Sequence, residues 1–336
     1  MTITGIGETV LDIVFRGGQP QAAVPGGSTF NAMISLGRTL SRHSRPDRES
    51  LPLLRMVTQT GDDAVSDIVL AFMKENGVGT ECVVRSPGQS TVSLALLDER
   101  SNAHYEFFRD RTLPAFKAPA LEFAPGDIVL FGSFFAINPE TREEARSLIR
   151  QARAAGAVVY YDINFRKNHD SAEARPQIEE NIALSDIVRG SSEDIEALYG
   201  TTDAAAVYAR HIAPLCANFI CTKGARETEV FSPGVHLTFP VPQDTPVVST
   251  IGAGDNFNAG TVYALVTMAR SALQSRLQER TLSGNAVATA VPYGPASVRT
   301  LRLKEIDWQR IVPIAHKFSA NVVASLYNYV DPDFEP

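Results

Sequence analysis

Cysteine is scarce in this sequence, and the spacing of the few cysteines excludes several classes of protein. They are Cys82, Cys216 and Cys221. An odd number of cysteines does not build a disulfide framework, and none of these spacings matches a zinc or redox motif. We therefore expect three reduced and packed thiols in a cytoplasmic protein.

Long apolar runs and excess positive charge are also missing. No apolar run reaches the length of a membrane span. The first residues contain Glu8 and Asp12 and lack a basic segment, which is unlike a signal peptide. The formal net charge of −7 disfavours an extended nucleic-acid surface but allows a local anion pocket. The sequence therefore predicts neither a nucleic-acid partner nor a membrane partner.

The sequence instead contains a regular alternation of strand and helix patterns. Apolar runs typical of buried strands, such as residues 51–59 and 126–133, precede segments with helical spacing, such as 62–78 and 138–157. This alternation predicts an α/β fold with a central, mostly parallel sheet covered by helices on both faces. The length of 336 residues suits a single domain, 1–336, of this type.

One region departs from the alternation. The stretch TVSLALLDERSNAHYEFFRD, residues 91–110, holds two strand-like runs with no helix between them. It predicts a β-hairpin. With the polar turns near the N-terminus, it suggests a small antiparallel appendage formed by segments at about 12–25 and 86–112. Such an appendage often acts as a lid; a surface hairpin without a role is the alternative.

A turn of very small residues precedes a long apolar helix pattern near residue 255. This anion turn consists of Gly252, Ala253, Gly254 and Asp255. Small residues leave the first N–H groups of a helix open to an anion. A carboxylate at that place repels an anion unless it acts as the base for a hydroxyl that attacks the anion, as in phosphoryl transfer. An ordinary helix N-terminus with a favourable first-turn acid is the alternative.

Polar and glycine-rich stretches occur at three other places where predicted strands end. They are Asp12 in GETVLD, the pair Gly26–Gly27 with Asn31 in PGGSTFNA, and the alternating polar residues of DINFR at 162–166. The ends of parallel strands form the edge at which α/β sheets bind ligands. Asparagine offers both donors and an acceptor, which suits sugar hydroxyls.

The collinear order of these motifs resembles the ribokinase-like (PfkB) family of carbohydrate kinases over nearly the whole chain. The set also includes GDD at 61–63 and TKG at 222–224. The resemblance implies a three-layer ribokinase-like fold with a small β lid, and ATP-dependent phosphorylation of a sugar hydroxyl. It implies that Asp255 is the general base, and that the N–H groups of Gly252, Ala253 and Gly254 stabilise the transferred phosphoryl. The substrate residues that it implies are Asp12, Gly26, Gly27, Asn31, Arg109, Asn164 and Arg166.

FFRD and DINFR are more similar to the fructokinase and 2-keto-3-deoxygluconate kinase branches than to ribokinase itself. In those branches the arginines that match Arg109 and Arg166 face the substrate. The resemblance therefore implies a fructose-like keto sugar, with a sugar acid as the alternative, since arginine pairs well with carboxylates. It also implies ATP and Mg²⁺ as cofactors and a possible homodimer formed through the lid. The implied nucleotide-side residues are Ser191, Asp194, Thr222, Gly224 and Asn321.

The sequence departs from the family pattern in several respects. The Asn-x-x-Glu motif, which helps to organise magnesium and phosphate, aligns with Ser191 and Asp194, so both side chains differ. An extra segment at about 283–304 precedes the last helix, and the sequence assigns it no role. A sugar-binding regulator with weakened catalysis is thus an alternative of another class. A dinucleotide-dependent oxidoreductase is disfavoured, because GIGETV lacks the third glycine of its fingerprint.

Overall fold

Strands and helices alternate through most of the chain, as the sequence patterns predict. The structure, a computed structural model, describes residues 1–42, 52–99, 103–165, 171–282 and 306–336. The strands are β1 (Thr2–Ile6), β2 (Val10–Arg16), β3 (Gln19–Gly26), β4 (Leu53–Gly61), β5 (Val83–Ser86), β6 (Val92–Leu97), β7 (Ala103–Phe108), β8 (Ile128–Gly132), β9 (Val158–Asp162), β10 (Ile187–Ser191), β11 (Asn218–Thr222), β12 (Glu227–Ser232) and β13 (Val235–Pro240). The α-helices are α1 (Ser28–Arg42), α2 (Ala64–Glu75), α3 (Arg142–Ala154), α4 (Ser171–Ala183), α5 (Ser192–Tyr199), α6 (Ala204–Val207), α7 (Ala253–Leu282) and α8 (Trp308–Val323).

Nine of these strands form one large sheet in the order β13-β12-β11-β10-β9-β8-β1-β4-β5. The neighbours from β11 to β5 pair in parallel. The predicted α/β fold with a mostly parallel sheet is confirmed. At one edge, β12 and β13 form an antiparallel hairpin that the alternation did not predict. A tight turn makes it possible, since Gly234 adopts a φ of 74°.

Helices cover both faces of this sheet. Helices α1, α2, α7 and α8 pack on one face, and α3 to α6 pack on the other. Successive strand residues supply the two cores, because side chains alternate across a strand. Thus Tyr160 is buried in the first core and its neighbour Tyr161 in the second. Full coverage of both faces explains why the parallel strands read as continuous apolar runs.

The other four strands form a separate small sheet in the order β3-β2-β6-β7. The predicted hairpin of β6 and β7 is antiparallel, as is the pair of β2 and β3. The prediction of a wholly antiparallel appendage is wrong, because β2 and β6 pair in parallel. The chain leaves β3 for helix α1 in the main body and re-enters the small sheet beside β2. Val14, Ala95 and Leu97 join it to the main body by packing with Ile251.

Local signals define several helix starts. Asp63 caps α2 by accepting from the Ser66 N–H at 2.9 Å. A capping box formed by Ser191 and Asp194 begins α5.

In the described part of the chain, no helix combines the length and hydropathy of a membrane span. The three cysteines are buried thiols that form no disulfide among the described residues, as predicted. The extra segment at 283–304 lies outside the described residues.

Candidate active site

Asp12 is one of two carboxylates that define the candidate site. It lies in β2 on the face that the small sheet turns towards the main body, and its side chain is buried. The Ser93 hydroxyl donates to Oδ1 of this carboxylate. The amide Nδ2 of Asn328 donates to its Oδ2 at 2.8 Å. Two donors therefore fix the orientation of a carboxylate at the strand edge that sequence analysis identified.

Gly26 and Gly27 lead from β3 into α1. A Cβ atom at Gly26 would overlap the Asp12 carboxylate, and one at Gly27 would overlap the backbone carbonyl of Glu8. Gly27 also has a φ of 119°, which few side chains tolerate. The Asn31 N–H donates to the Gly27 carbonyl at 2.8 Å and places Asn31 in the first turn of α1. The glycine pair therefore lets this helix begin directly beside Asp12.

The anion turn has the geometry of a glycine-dependent helix start. Gly252 has a φ of 75°, and a Cβ there would lie 2.6 Å from the Asn328 carbonyl oxygen. Helix α7 begins at Ala253, so Asp255 lies in its first turn. The Ala253 N–H makes only a long contact of 3.4 Å with the Thr250 carbonyl. Such a turn presents backbone N–H groups at the positive end of a long helix.

A direct hydrogen bond joins the starts of α1 and α7. Nδ2 of Asn31 donates to Oδ2 of Asp255 at 2.8 Å. Among the described residues, Oδ1 of Asn31 is buried without a hydrogen-bond partner. Buried polar atoms in folded proteins are generally paired. This amide oxygen is therefore suited to accept a hydrogen bond from a ligand.

Both carboxylates line one narrow cavity of about 60 Å³. The cavity adjoins a wider groove of about 590 Å³, with which it shares part of its wall. The predicted site residues that line the cavity are Asp12, Gly27, Asn31, Arg109 and Asp255, and its other lining residues include Glu8, Tyr105, Phe107, Ser133 and Phe134. The structure thus brings together residues from the small sheet, α1 and α7.

Arg109 lies at the mouth of this cavity with an internal carboxylate already bound. Its Nε and Nη2 atoms donate to the two carboxylate oxygens of Glu8, each at 3.0 Å. Its guanidinium also lies 4.3 Å from the Phe107 ring centre and 5.0 Å from that of Phe134. This two-pronged ion pair between aromatic rings holds the arginine in one orientation.

The DINFR motif is divided between the protein interior and the strand edge. Asp162 is buried, and its carboxylate receives Nη1 of Arg189 at 3.1 Å and Nδ2 of Asn258 at 2.9 Å. Asn164 adopts a φ of 36° just beyond the strand, and it is not among the cavity-lining residues. Arg166 lies outside the described residues. Its predicted contact with substrate stays a prediction, as does that of Asn164.

Arg189 is a buried cation directly beneath the anion turn. Its guanidinium atoms lie 2.8–3.1 Å from the position that a Cβ would take at Gly254. Its Nη2 donates to Oγ1 of Thr222 at 2.5 Å. Gly254 is therefore required for space, because any side chain would displace this guanidinium. The positive charge lies close to the N–H groups that are predicted to meet the phosphoryl.

On the predicted nucleotide side, Ser191 and Asp194 have a structural role. Oδ1 of Asp194 accepts from the Phe165 N–H and Oδ2 from the Ser191 N–H, each at 2.7 Å. Burial raises the pKa of Asp194 to about 6, against the opposing effects of Arg189 and these hydrogen bonds. These hydrogen bonds fix the orientation of the carboxylate. The described residues include no cluster of three or more potential metal-ligating side chains.

The other predicted nucleotide residues occupy two places. Thr222 lies beside Ser191 in register at the ends of β11 and β10. Gly224 has a φ of 58° in the turn that follows β11. Asn321 lies on α8 and exchanges two hydrogen bonds with Asp331, from its Nδ2 at 3.3 Å and to its Oδ1 at 2.8 Å. Their contacts with a nucleotide stay predictions.

Comparison with known proteins identifies the family. The profile described as pfkB family carbohydrate kinase matches residues 20–292, which is most of the chain. The chain belongs to the PfkB family of carbohydrate kinases. It is therefore an enzyme that phosphorylates carbohydrates with ATP, and the resemblance inferred from the collinear motifs is confirmed.

Individual relatives fall in the two expected branches of the PfkB family. A fructokinase of Rhizobium leguminosarum bv. trifolii is 30% identical over 270 residues, covering 77% of this chain and 78% of the relative. A 2-dehydro-3-deoxygluconokinase of Dickeya dadantii is 24% identical over 274 residues, covering 76% and 84%. The crystal structure of a Vibrio cholerae fructokinase with fructose, ADP and calcium has a TM-score of 0.73 at 19% identity and covers 98% and 94%.

Sequence reasoning missed several residues of this PfkB site. Arg189 had a visible signal, since it is a charged residue within the short apolar strand IVRGS. Glu8 and Asn258 lie near recognised motifs but carry no distinguishing pattern. Asn328, in the C-terminal segment, contacts Asp12 across 316 positions of the chain. No local signal predicts such a contact.

We predict that Arg189→Met strongly destabilises this kinase, because it leaves the buried Asp162 carboxylate without its counterion. Breaking a buried pair in this way costs roughly 3–5 kcal/mol. Urea unfolding measures the change. The double variant with Asp162→Asn should lose less than the sum of the two single changes. Arg85→Met is the control, because Arg85 pairs with two mostly exposed aspartates and should cost at most about 1 kcal/mol. Equal costs for the two arginine variants would contradict the prediction.

Proposed function

We propose that this PfkB kinase transfers the γ-phosphoryl group of ATP to a hydroxyl of a fructose-like keto sugar. One observation carries the proposal: Asp12 and Asp255 line the same cavity, next to an asparagine amide that bonds one of them. Asp12 offers acceptors for sugar hydroxyls, and Asp255 stands at the anion turn. Oδ1 of Asn31 accepts a further sugar hydroxyl.

In the proposed reaction, Asp255 acts as the general base. It takes the proton of the attacking sugar hydroxyl while the hydroxyl oxygen bonds to the γ-phosphorus. The bond from that phosphorus to the bridging oxygen of ADP breaks, and ADP leaves. The N–H groups of Gly252, Ala253 and Gly254, with the dipole of α7, stabilise negative charge on the transferred group. The hydrogen bond from Asn31 orients the base.

ATP and Mg²⁺ are proposed as the co-substrate and its metal ion. The buried guanidinium of Arg189 beside Gly254 adds positive charge where phosphates are expected. Because both oxygens of Asp194 are bound to backbone N–H groups, this residue is a poor substitute for a glutamate ligand. Mg²⁺ in such sites keeps several waters and binds mainly through substrate phosphates. We therefore propose that the metal enters with the nucleotide, with Ser191, Thr222, Gly224 and Asn321 on its side of the site.

The state of Arg109 favours a neutral sugar over a sugar acid. Its two donors on one edge are already bound to Glu8, at 3.0 Å each. A substrate carboxylate at this edge would have to displace Glu8, and one at the other edge of the guanidinium would bring two negative charges close together. A keto sugar needs no such displacement. Recognition of 2-keto-3-deoxygluconate would instead require Arg109 to open or Arg166 to supply the cation.

We also propose that the small sheet acts as a lid and that its outer face forms a homodimer. The apolar residues Leu11, Ile13 and Phe15 of β2 pair in register with Val92, Leu94 and Leu96 of β6. All six are only half-buried. A contiguous apolar sheet face of this kind is typical of an interaction surface.

Asp255→Asn should lower kcat by about 10²–10⁴, the usual effect of losing a general base. The amide keeps the shape of the side chain, so the affinities for sugar and ATP should change little. Steady-state kinetics and calorimetric titration measure both. Asp67→Asn on the surface of α2 is the control and should retain parental turnover. Turnover of the Asp255 variant within a few-fold of the parent would show that Asp255 is not the base.

The substrate assignment predicts the highest kcat/KM for fructose in a coupled assay with fructose, 2-keto-3-deoxygluconate, ribose and adenosine. Glu8→Gln should shift the ratio of kcat/KM towards the acid, because it weakens the internal partner of Arg109. A wild-type preference for 2-keto-3-deoxygluconate would replace the fructose assignment with the sugar-acid alternative. A preference for adenosine would contradict both.

The dimer proposal predicts that Leu94→Glu converts a dimer to a monomer in sedimentation velocity, because it places a charge in the centre of the apolar face. Ile68→Glu is the control, since Ile68 is an exposed apolar residue on α2 and is not part of the apolar face formed by β2 and β6. It should leave the dimer intact. A wild-type protein that sediments as a monomer at all concentrations would refute the proposal.

A further inference from the structure

We propose that Asn328 is a positioning residue. It aligns the Asp12 carboxylate, which binds the sugar, with the anion turn. The inference rests on the proposed function, in which Asp12 binds the sugar and the turn meets the phosphoryl. Asn328 lies in the segment after α8, which follows the last of the collinear motifs by many positions in the sequence. It is completely buried.

The side chain of Asn328 acts on the sugar subsite. Its Nδ2 donates to Oδ2 of Asp12 at 2.8 Å, while Ser93 holds the other carboxylate oxygen. Gly26 leaves the space for this contact, because a Cβ there would overlap Oδ2 of Asp12 and lie 3.2 Å from Nδ2 of Asn328. The glycine that the family motif supplies is therefore needed for the hydrogen bond between Asp12 and Asn328.

The backbone of the same residue acts on the anion turn. The Asn328 carbonyl oxygen lies 2.6 Å from the position of a Cβ at Gly252. It accepts from Nδ2 of Asn256 at 2.8 Å, and the same Nδ2 donates to the Gly252 carbonyl at 2.8 Å. One asparagine of α7 thus clamps the turn and the C-terminal segment together. Asn328 therefore contacts both the proposed sugar-binding carboxylate of Asp12 and the anion turn at Gly252.

The segment that carries Asn328 is itself anchored. The Val330 N–H donates to Oγ of Ser35 at 3.1 Å, and Ser35 in turn donates to Oδ1 of Asn256. Nη1 of Arg38 donates to the Val330 carbonyl at 2.6 Å. Its guanidinium lies 4.6 Å from the Tyr329 ring centre. Residues of α1 therefore hold this segment in place, so that Asn328 serves as a fixed reference for both Asp12 and Gly252.

An amide is the side chain that this position requires. It donates a hydrogen bond to the Asp12 carboxylate without adding charge, and it is long enough to reach it. A carboxyl group of the same shape would repel Asp12 when ionised. When two carboxylates share a site, one of them takes up a proton at a raised pH, and the shared proton restores the hydrogen bond. An aspartate at position 328 should therefore cause a defect that depends on pH, whereas a defect caused only by lost packing would not depend on pH.

The experiment compares wild type, Asn328→Ala and Asn328→Asp by steady-state kinetics with the best sugar and ATP between about pH 6 and pH 8. Loss of a hydrogen bond to a charged group predicts a rise of about 10- to 100-fold in the sugar KM for Asn328→Ala, with the ATP KM nearly unchanged. Near pH 8, Asn328→Asp should raise the sugar KM more than Asn328→Ala does. As the pH falls, the sugar KM of Asn328→Asp should approach that of wild type. Gly26→Ala should raise the sugar KM as well, and its effect should not add to that of Asn328→Ala.

Asn218→Asp is the matched control. Asn218 is also buried, and its Nδ2 donates at 2.9 Å to the Asp186 carbonyl near the opposite ends of the strands. This variant should show no pH-dependent change in sugar KM, and thermal unfolding verifies that each variant is folded. An unchanged sugar KM in the folded Asn328 variants, or an Asn328→Asp defect independent of pH, would overturn the inference alone. A wild type that phosphorylates no sugar would overturn the proposed function and, with it, this inference.

Discussion

The hydrogen bond between Asn31 and Asp255 is the contact on which the geometry of the candidate site depends. It joins residues 224 positions apart at 2.8 Å, and each lies in the first turn of its helix. Two helix starts, each with its positive dipole end and open N–H groups, thereby meet at one edge of the sheet. A pocket built in this way attracts negative charge and holds a carboxylate beside it. The sugar recognition by α1 and the phosphoryl stabilisation by α7 that we propose both depend on this one junction.

Lack of side-chain volume makes the junction possible. A Cβ at Gly26 would overlap Asp12, one at Gly252 would press on Asn328, and one at Gly254 would overlap Arg189. In each case the glycine makes room for a polar group that comes from a distant part of the chain. The small residues of the motifs therefore serve two purposes, since they shape the turns and admit buried hydrogen-bonding partners. The buried ion pair of Arg189 with Asp162 lies directly beneath the anion turn and packs against Gly254.

The small sheet is tied to the same junction from above. Ile251, immediately before the anion turn, packs with Val14, Ala95 and Leu97 of the small sheet. Nη2 of Arg16 donates to the Val248 carbonyl at 2.8 Å. The strand that carries Asp12 is thus in contact with the segment that leads into the anion turn. Movement of the small sheet would therefore shift both Asp12 and the turn that carries Asp255. This coupling is the physical basis for the proposal that the small sheet is a lid.

The sequence by itself determined the α/β alternation, the hairpin of β6 and β7, and the glycine-rich starts of α1 and α7. These features are local, because strand and helix periods and the steric freedom of glycine act over a few residues. The same locality explains why the parallel pairing of β2 with β6 was missed, since it depends on where the chain re-enters the small sheet. It likewise explains why the sequence gives no sign that both oxygens of Asp194 accept from backbone N–H groups.

Only the tertiary structure decided which partners meet at the site. The ion pair of Glu8 with Arg109 spans 101 positions and that of Asp162 with Arg189 spans 27, while Asn328 reaches Asp12 across 316. Neither composition nor period encodes such contacts. They arise because parallel strands deliver their carboxyl ends to one edge, where segments far apart in the chain become neighbours.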